Sequence, residues 1–208
     1  MEMEQKQELA NALTHGIGIL LTIIGSIVLI FIGVQKWQGY HIFGLALFCF
    51  SLLMVYTSST IYHCVKGNWQ KYVLKKIDHI SIYLLIGGTH TPFVLLYLDN
   101  DFGRNYLITL WGLILIGILY KIFLIGRWKW FSLAFYIFLG WMAVFIIPSM
   151  KDQMSSSVFY WILAGGVSYT TGTIFFAWEK LPYHHAIWHL FVLGGSAGHY
   201  VAMVYAYG

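Results

Sequence analysis

Seven apolar runs, each about 20 residues long, follow one another along almost the entire chain. A helix rises ~1.5 Å per residue, so a run of this length matches the ~30 Å hydrocarbon core of a bilayer. Charged residues make up only 10% of the 208 residues, whereas roughly 25% is usual in soluble domains. We therefore predict an all-α, polytopic membrane protein in which seven helices form one transmembrane bundle.

The connections between the apolar runs are short and hold turn-forming residues, such as Gly39 and Gly126. No linker separates the runs, so residues 1–208 are predicted to form a single domain. Any chemistry must then be carried out by side chains on the helices or directly beside them. The predicted spans cover approximately residues 16–34, 41–62, 78–98, 105–125, 130–150, 157–178 and 185–207.

The basic residues are divided unequally between the two ends of these spans. Cytoplasmic loops carry the excess of Lys and Arg, so the amino terminus is predicted in the cytoplasm and the carboxyl terminus outside. Orientation explains these charges, and no nucleic-acid partner is predicted. Lys121, inside the end of the fourth span, is expected to extend to the interface. The cytoplasmic set is Lys6, Lys66, Lys71, Lys75, Lys76, Lys121, Arg127, Lys129 and Lys180, against Lys36, Arg104 and Lys151 outside.

Ionisable side chains gather at the same end of three predicted spans. Ser59 and His63 are four residues apart at the end of the second span, and Asp78 opens the third. His185 and His189, also four apart, open the seventh. Residues at this spacing share one helix face. Because ionisable groups within a membrane are unfavourable unless they serve a site or a polar network, these residues are predicted to meet at one membrane level.

Three histidines can bind Zn²⁺ and leave its fourth position to water, whose pKa then falls to about 7. We predict His63, His185 and His189 as the zinc ligands. Asp78 is placed to orient this water and accept its proton, and Ser59 to support the site or donate to a substrate carbonyl. The alternative is a polar network that only joins the second, third and seventh helices.

The remaining histidines are expected outside the metal site. His15 precedes the first span, where it could support the site or cap the helix. His90 and His199 lie about 15 to 18 Å farther along their helices and are expected to be packing or cavity residues. His41 and His79 are expected to face away from the site.

These motifs resemble the hemolysin III family, the bacterial branch of the progestin and adipoQ receptor family. The resemblance extends from about Glu8 to Tyr205. It implies seven helices, a zinc ion held by the three histidines and a water near Asp78. It also implies kinship with alkaline ceramidases, and therefore hydrolysis of a lipid amide in a bacterial plasma membrane. The motif residues are Glu8, Asn11, Thr14, His15, Ser59, His63, Lys75, Lys76, Ile77, Asp78, His185 and His189.

Three functions are open on this basis. A zinc-dependent hydrolase of a lipid amide requires a lipid-accessible cavity that ends at the three histidines. A non-enzymatic sensor or regulator of membrane lipid state would be favoured by a closed zinc site with four ligands. A pore-forming or cytolytic activity, as the family name suggests, requires a continuous polar path. In the first two functions a membrane lipid is the substrate or the ligand.

Overall fold

The computed structural model describes residues 2–208, and all regular structure among them is helical. Six segments are long and apolar enough to cross a membrane. The seventh, α7, is more polar because Ser, Thr and Tyr interrupt it. The prediction of an all-α, polytopic membrane protein is therefore confirmed. The helices are α1 (Met3–Val34), α2 (Tyr40–Cys64), α3 (Asn68–Tyr97), α4 (Asp101–Leu124), α5 (Lys129–Trp141), α6 (Ile147–Met150), α7 (Ser156–Ala177) and α8 (His184–Tyr207).

One end of the bundle, at which α2 finishes and α8 begins, is called the histidine end below. There the Lys76 ammonium donates to the carbonyl of Ile122 over 2.7 Å, which ties the start of α3 to the end of α4. Lys129, at the start of α5, pairs with Glu179 beyond the end of α7. The hydrogen bond from Lys129 lowers the pKa of the Glu179 carboxyl. These contacts align the helix ends that carry the site.

The opposite end is fixed by two hydrogen bonds. The Tyr40 hydroxyl at the start of α2 donates to the Asp99 carboxylate over 2.8 Å, at the end of α3. The Trp37 indole N–H donates to the carbonyl of Tyr207 over 3.2 Å, which joins the α1–α2 connection to the end of α8. Neighbouring helices therefore run antiparallel, with consecutive connections at alternate ends.

Two helices begin well before the spans predicted from hydropathy. Helix α1 begins at Met3 rather than near residue 16, and α3 begins at Asn68 rather than near residue 78. The added turns are rich in Glu, Gln and Lys, which are good helix formers but lower the hydropathy. Both extensions lie at the histidine end, where they bring further polar side chains to the site.

The fifth span is broken near its middle. Helix α5 ends at Trp141, a 3₁₀ turn covers Met142–Phe145, and α6 continues to Met150. Pro148 causes this break, because proline lacks an N–H and its ring clashes with the carbonyl four residues earlier, that of Val144. The fifth span thus has an irregular backbone next to the interior cavity described below.

Helices α7 and α8 are in backbone contact. A Cβ atom added to Gly198 would lie 3.0 Å from the Cα of Gly165 and 3.2 Å from the carbonyl oxygen of Trp161. Small residues at a helix crossing permit this close approach. Helix α7 is therefore held firmly along α8, next to the histidines.

Candidate metal centre and cavity

The structure brings the three predicted zinc ligands together at the histidine end. His63 lies in the last turn of α2, and His185 and His189 lie in the first two turns of α8. One ring nitrogen from each residue lies within 4.8 Å of the others. His63 and His189 are buried and His185 is half-buried. One metal ion could contact all three rings.

The His63 ring is oriented by a carboxylate on α1. Its Nδ1–H donates to Glu8 over 2.5 Å, and the second oxygen of Glu8 accepts from the Lys71 ammonium over 2.6 Å. The buried Nε2 of His63 has no hydrogen-bond partner. A carboxylate on one ring nitrogen fixes the tautomer that leaves the other free for a metal. The donor set and this unpartnered nitrogen fit a zinc ion.

The His189 ring is oriented by α1 as well. Its Nδ1 lies 3.1 Å from the main-chain carbonyl oxygen of Asn11 and 3.1 Å from the Thr14 hydroxyl. The His15 ring stacks on that of His189, with centroids 3.5 Å apart and an interplanar angle of 14°. Helix α1 therefore directs Nε2 of His189 toward the other two histidines, and His15 supports the site rather than capping a helix.

Glu8→Ala is expected to weaken zinc binding by about 10- to 100-fold, because outer-shell carboxylates that orient a histidine ligand have effects of this size. Glu8→Gln keeps an acceptor oxygen and should lose less. Zinc affinity can be measured by competition with a chromogenic chelator. Glu2→Gln, at the exposed start of the same helix, serves as the control. Native affinity in Glu8→Ala would contradict the orienting role.

Ser59 and Asp78 line the same cavity as the three histidines. The Ser59 hydroxyl is buried, at 1% residue exposure, and has no hydrogen-bond partner. Asp78 is half-buried on α3. His79, expected to face away, also lines the cavity with an unpartnered, buried Nδ1. The predicted catalytic pair is therefore available to a molecule in the cavity, and their roles stay a prediction.

The cavity has a volume of 630 Å³ and extends from the histidine end into the outer half of the bundle. His90 and His199 line its deep part, as one of their two expected roles required. Nδ1 of His90 lies 2.6 Å from the Tyr106 hydroxyl, and His199 stacks on Tyr169 with centroids 5.7 Å apart. A long, mostly apolar space therefore leads away from the metal centre.

The cavity also reaches the side of the bundle. Val144 on the broken fifth span and Leu163 on α7 line the cavity, and they are 51% and 40% exposed. Their exposure indicates an opening between these two segments toward the surrounding lipid. Lateral access is the feature that a lipid hydrolase requires, because its substrate arrives from the bilayer rather than from water.

Comparisons with known proteins are consistent across nearly the whole chain. A family model described as Haemolysin-III related matches residues 3–200. The Hemolysin-3 homolog of Bacillus subtilis (strain 168) is 40% identical, over 96% of this chain and 94% of the relative. Hemolysin-3 of Bacillus cereus is 41% identical, over 92% of this chain and 88% of the relative. The human Monocyte to macrophage differentiation factor is 27% identical, over 93% and 82%. No solved structure matches the chain.

Proposed function

The chain belongs to the haemolysin-III-related family, and on that premise we propose that it is a zinc-dependent hydrolase of a lipid amide. The observation that carries this proposal is a group of three histidines on the wall of a cavity with apolar depth and lateral access. A site with three protein ligands is the pattern of catalytic rather than structural zinc. His63, His185 and His189 are the proposed ligands.

The proposed reaction adds water across an amide bond and yields a fatty acid and an amine. Zinc, when bound, supplies Lewis-acid activation of the water and the carbonyl. Asp78 accepts the proton that leaves the water and returns it to the amine nitrogen as the C–N bond breaks. Ser59 donates a hydrogen bond to the carbonyl oxygen. The apolar cavity walls hold the acyl chain and exclude bulk water from the reacting carbonyl.

The test is fatty acid release by protein purified in a mild detergent. Ceramides and other N-acyl amides are supplied in mixed micelles, and the products are quantified by mass spectrometry. We expect release that is lost after chelation and restored by zinc. The matched control carries alanine at His63, His185 and His189. Equal release by this control would contradict the proposal, as would no release by zinc-loaded native protein from any amide.

A second candidate is a non-enzymatic regulator that senses membrane lipids. The break in the fifth span favours it, because an irregular segment beside the cavity could shift when a lipid occupies that cavity. The same assay separates the two functions, since the regulator would bind zinc and lipid without forming product. Pore formation is not proposed, because Phe93, Ile146 and Met150 make the deep part of the cavity apolar.

A further inference from the structure

A buried lysine faces the cavity near the histidine end of α4. Lys121 is 4% exposed and lines the cavity. Its ammonium lies 5.6 Å from the ring centroid of Tyr120 and 5.3 Å from that of Tyr136. The sequence-based expectation that Lys121 extends to the interface is therefore wrong. The side chain turns inward between α3, α4 and α5.

This ammonium has no anionic partner among residues 2–208. The ion pairs within that range use the carboxylates of Glu8, Asp101 and Glu179, and none of them involves Lys121. The two tyrosine rings attract the cation through their faces. A neutral ring supplies no counter-charge, however, and a buried charge is unfavourable unless it is paired. The usual explanation, a partner elsewhere in the bundle, does not apply.

A second cation lies close by. Lys75 on α3 is half-buried, lines the same cavity, and repels the charge of Lys121. Lys75 is also in no ion pair. Asp78, the acid nearest to it along α3, pairs with neither lysine. Two like charges at the wall of a membrane cavity would both be stabilised by one bound anion.

Neutral polar atoms complete the surroundings. The Ser132 hydroxyl on α5 and Nδ1 of His79 on α3 line the cavity, are buried, and have no hydrogen-bond partner. The Tyr136 hydroxyl, one turn beyond Ser132, donates to the carbonyl of His79 over 2.9 Å. That bond ties α5 to α3 beside Lys121. Two cations and unpartnered polar atoms around one space match the several acceptor oxygens of a phosphate group.

We propose that Lys121 and Lys75 bind the phosphate group of an anionic amphiphile whose acyl chain extends into the cavity. This inference rests on the proposed function for the acyl chain, and it narrows the substrate class from lipid amides in general to those that carry a phosphate. The phosphate lies on the α3–α4–α5 side of the cavity, and the amide lies toward the histidines.

The test measures binding to the zinc-loaded, full-length protein in neutral detergent by isothermal titration calorimetry. Dodecyl phosphate, dodecanol and inorganic phosphate are the three probes. We expect native protein to bind dodecyl phosphate at least about tenfold more tightly than dodecanol, a difference readily resolved as a ratio of Kd values. Lys121→Met should abolish this preference and leave dodecanol binding unchanged. Lys121→Arg should retain it, as should Lys66→Met, an exposed lysine at the same end.

Three results would overturn the proposal. The first is a native preference that persists in Lys121→Met. The second is a preference lost in the variant with alanine at His63, His185 and His189 but kept in Lys121→Met, which would assign the anion to the metal. The third is inorganic phosphate binding as tightly as dodecyl phosphate, which would make the ligand a free anion. Binding that depends on Lys121 without fatty acid release would support this inference and contradict only the proposed hydrolysis.

Discussion

Replacing His189 with alanine is expected to reduce the zinc content of the purified protein from about one ion per chain to near zero, because only two of three protein ligands would be left. His189 is 1% exposed, and its ring is held by Asn11 and stacked on His15. The alanine variant therefore also leaves a cavity beside α1, and the thermal unfolding midpoint should fall. Elemental analysis and tryptophan fluorescence during heating measure the two effects.

The matched control is His41→Ala, at the start of α2 and the opposite end of the bundle. It removes the same kind of ring without approaching the metal centre, so full zinc content is expected. Zinc at native stoichiometry in His189→Ala would refute the assigned ligand set. A fall in stability with zinc retained would reduce His189 to a packing residue.

The second large effect is expected from Asp78→Asn, which keeps the shape of the side chain and removes its charge. Loss of a general base typically lowers the rate by about 10²- to 10⁴-fold, so kcat for amide hydrolysis should fall within this range. Zinc content should stay at the native value, because Asp78 does not belong to the histidine group. Initial rates of fatty acid release, paired with elemental analysis of the same sample, measure both quantities.

Asp152→Asn provides the comparison, since Asp152 is exposed at the opposite end of the bundle. Its rate should match that of the native protein. An Asp78→Asn rate within about twofold of native would remove Asp78 from the proposed chemistry, because a proton-transfer role contributes far more than this. Loss of zinc in this variant would instead make Asp78 part of the metal centre.

The helical bundle could be predicted from the sequence because hydropathy over about 20 residues reports helix length in a membrane. The helix ends could not, since hydropathy treats charged helix formers as breaks. Glu8 and Lys71 lie in the two missed extensions, and they form the hydrogen-bonded chain that orients His63. The orientation of the termini relative to the cytoplasm stays a prediction.

The histidine group could be anticipated because residues four apart share a helix face, which fixes His185 beside His189. The contribution of α1 was less visible. The main-chain carbonyl of Asn11 accepts from His189, and a backbone acceptor leaves no signal in residue types. The motif residue Thr14 was recognisable only through family resemblance. The inward turn of Lys121 depends on the packing of Tyr136 from α5, which a single helix does not reveal.

The contact between Gly165 and Gly198 has a consequence for how such a chain can diversify. With α7 fixed against α8, the cavity can change width only through its other wall, the broken fifth span. The metal centre is built on α1, α2 and α8, so changes in the fifth span leave it untouched. Substitutions that alter which lipids fit are thus separated from those that alter chemistry, and paralogues can acquire new substrates while they keep one reaction.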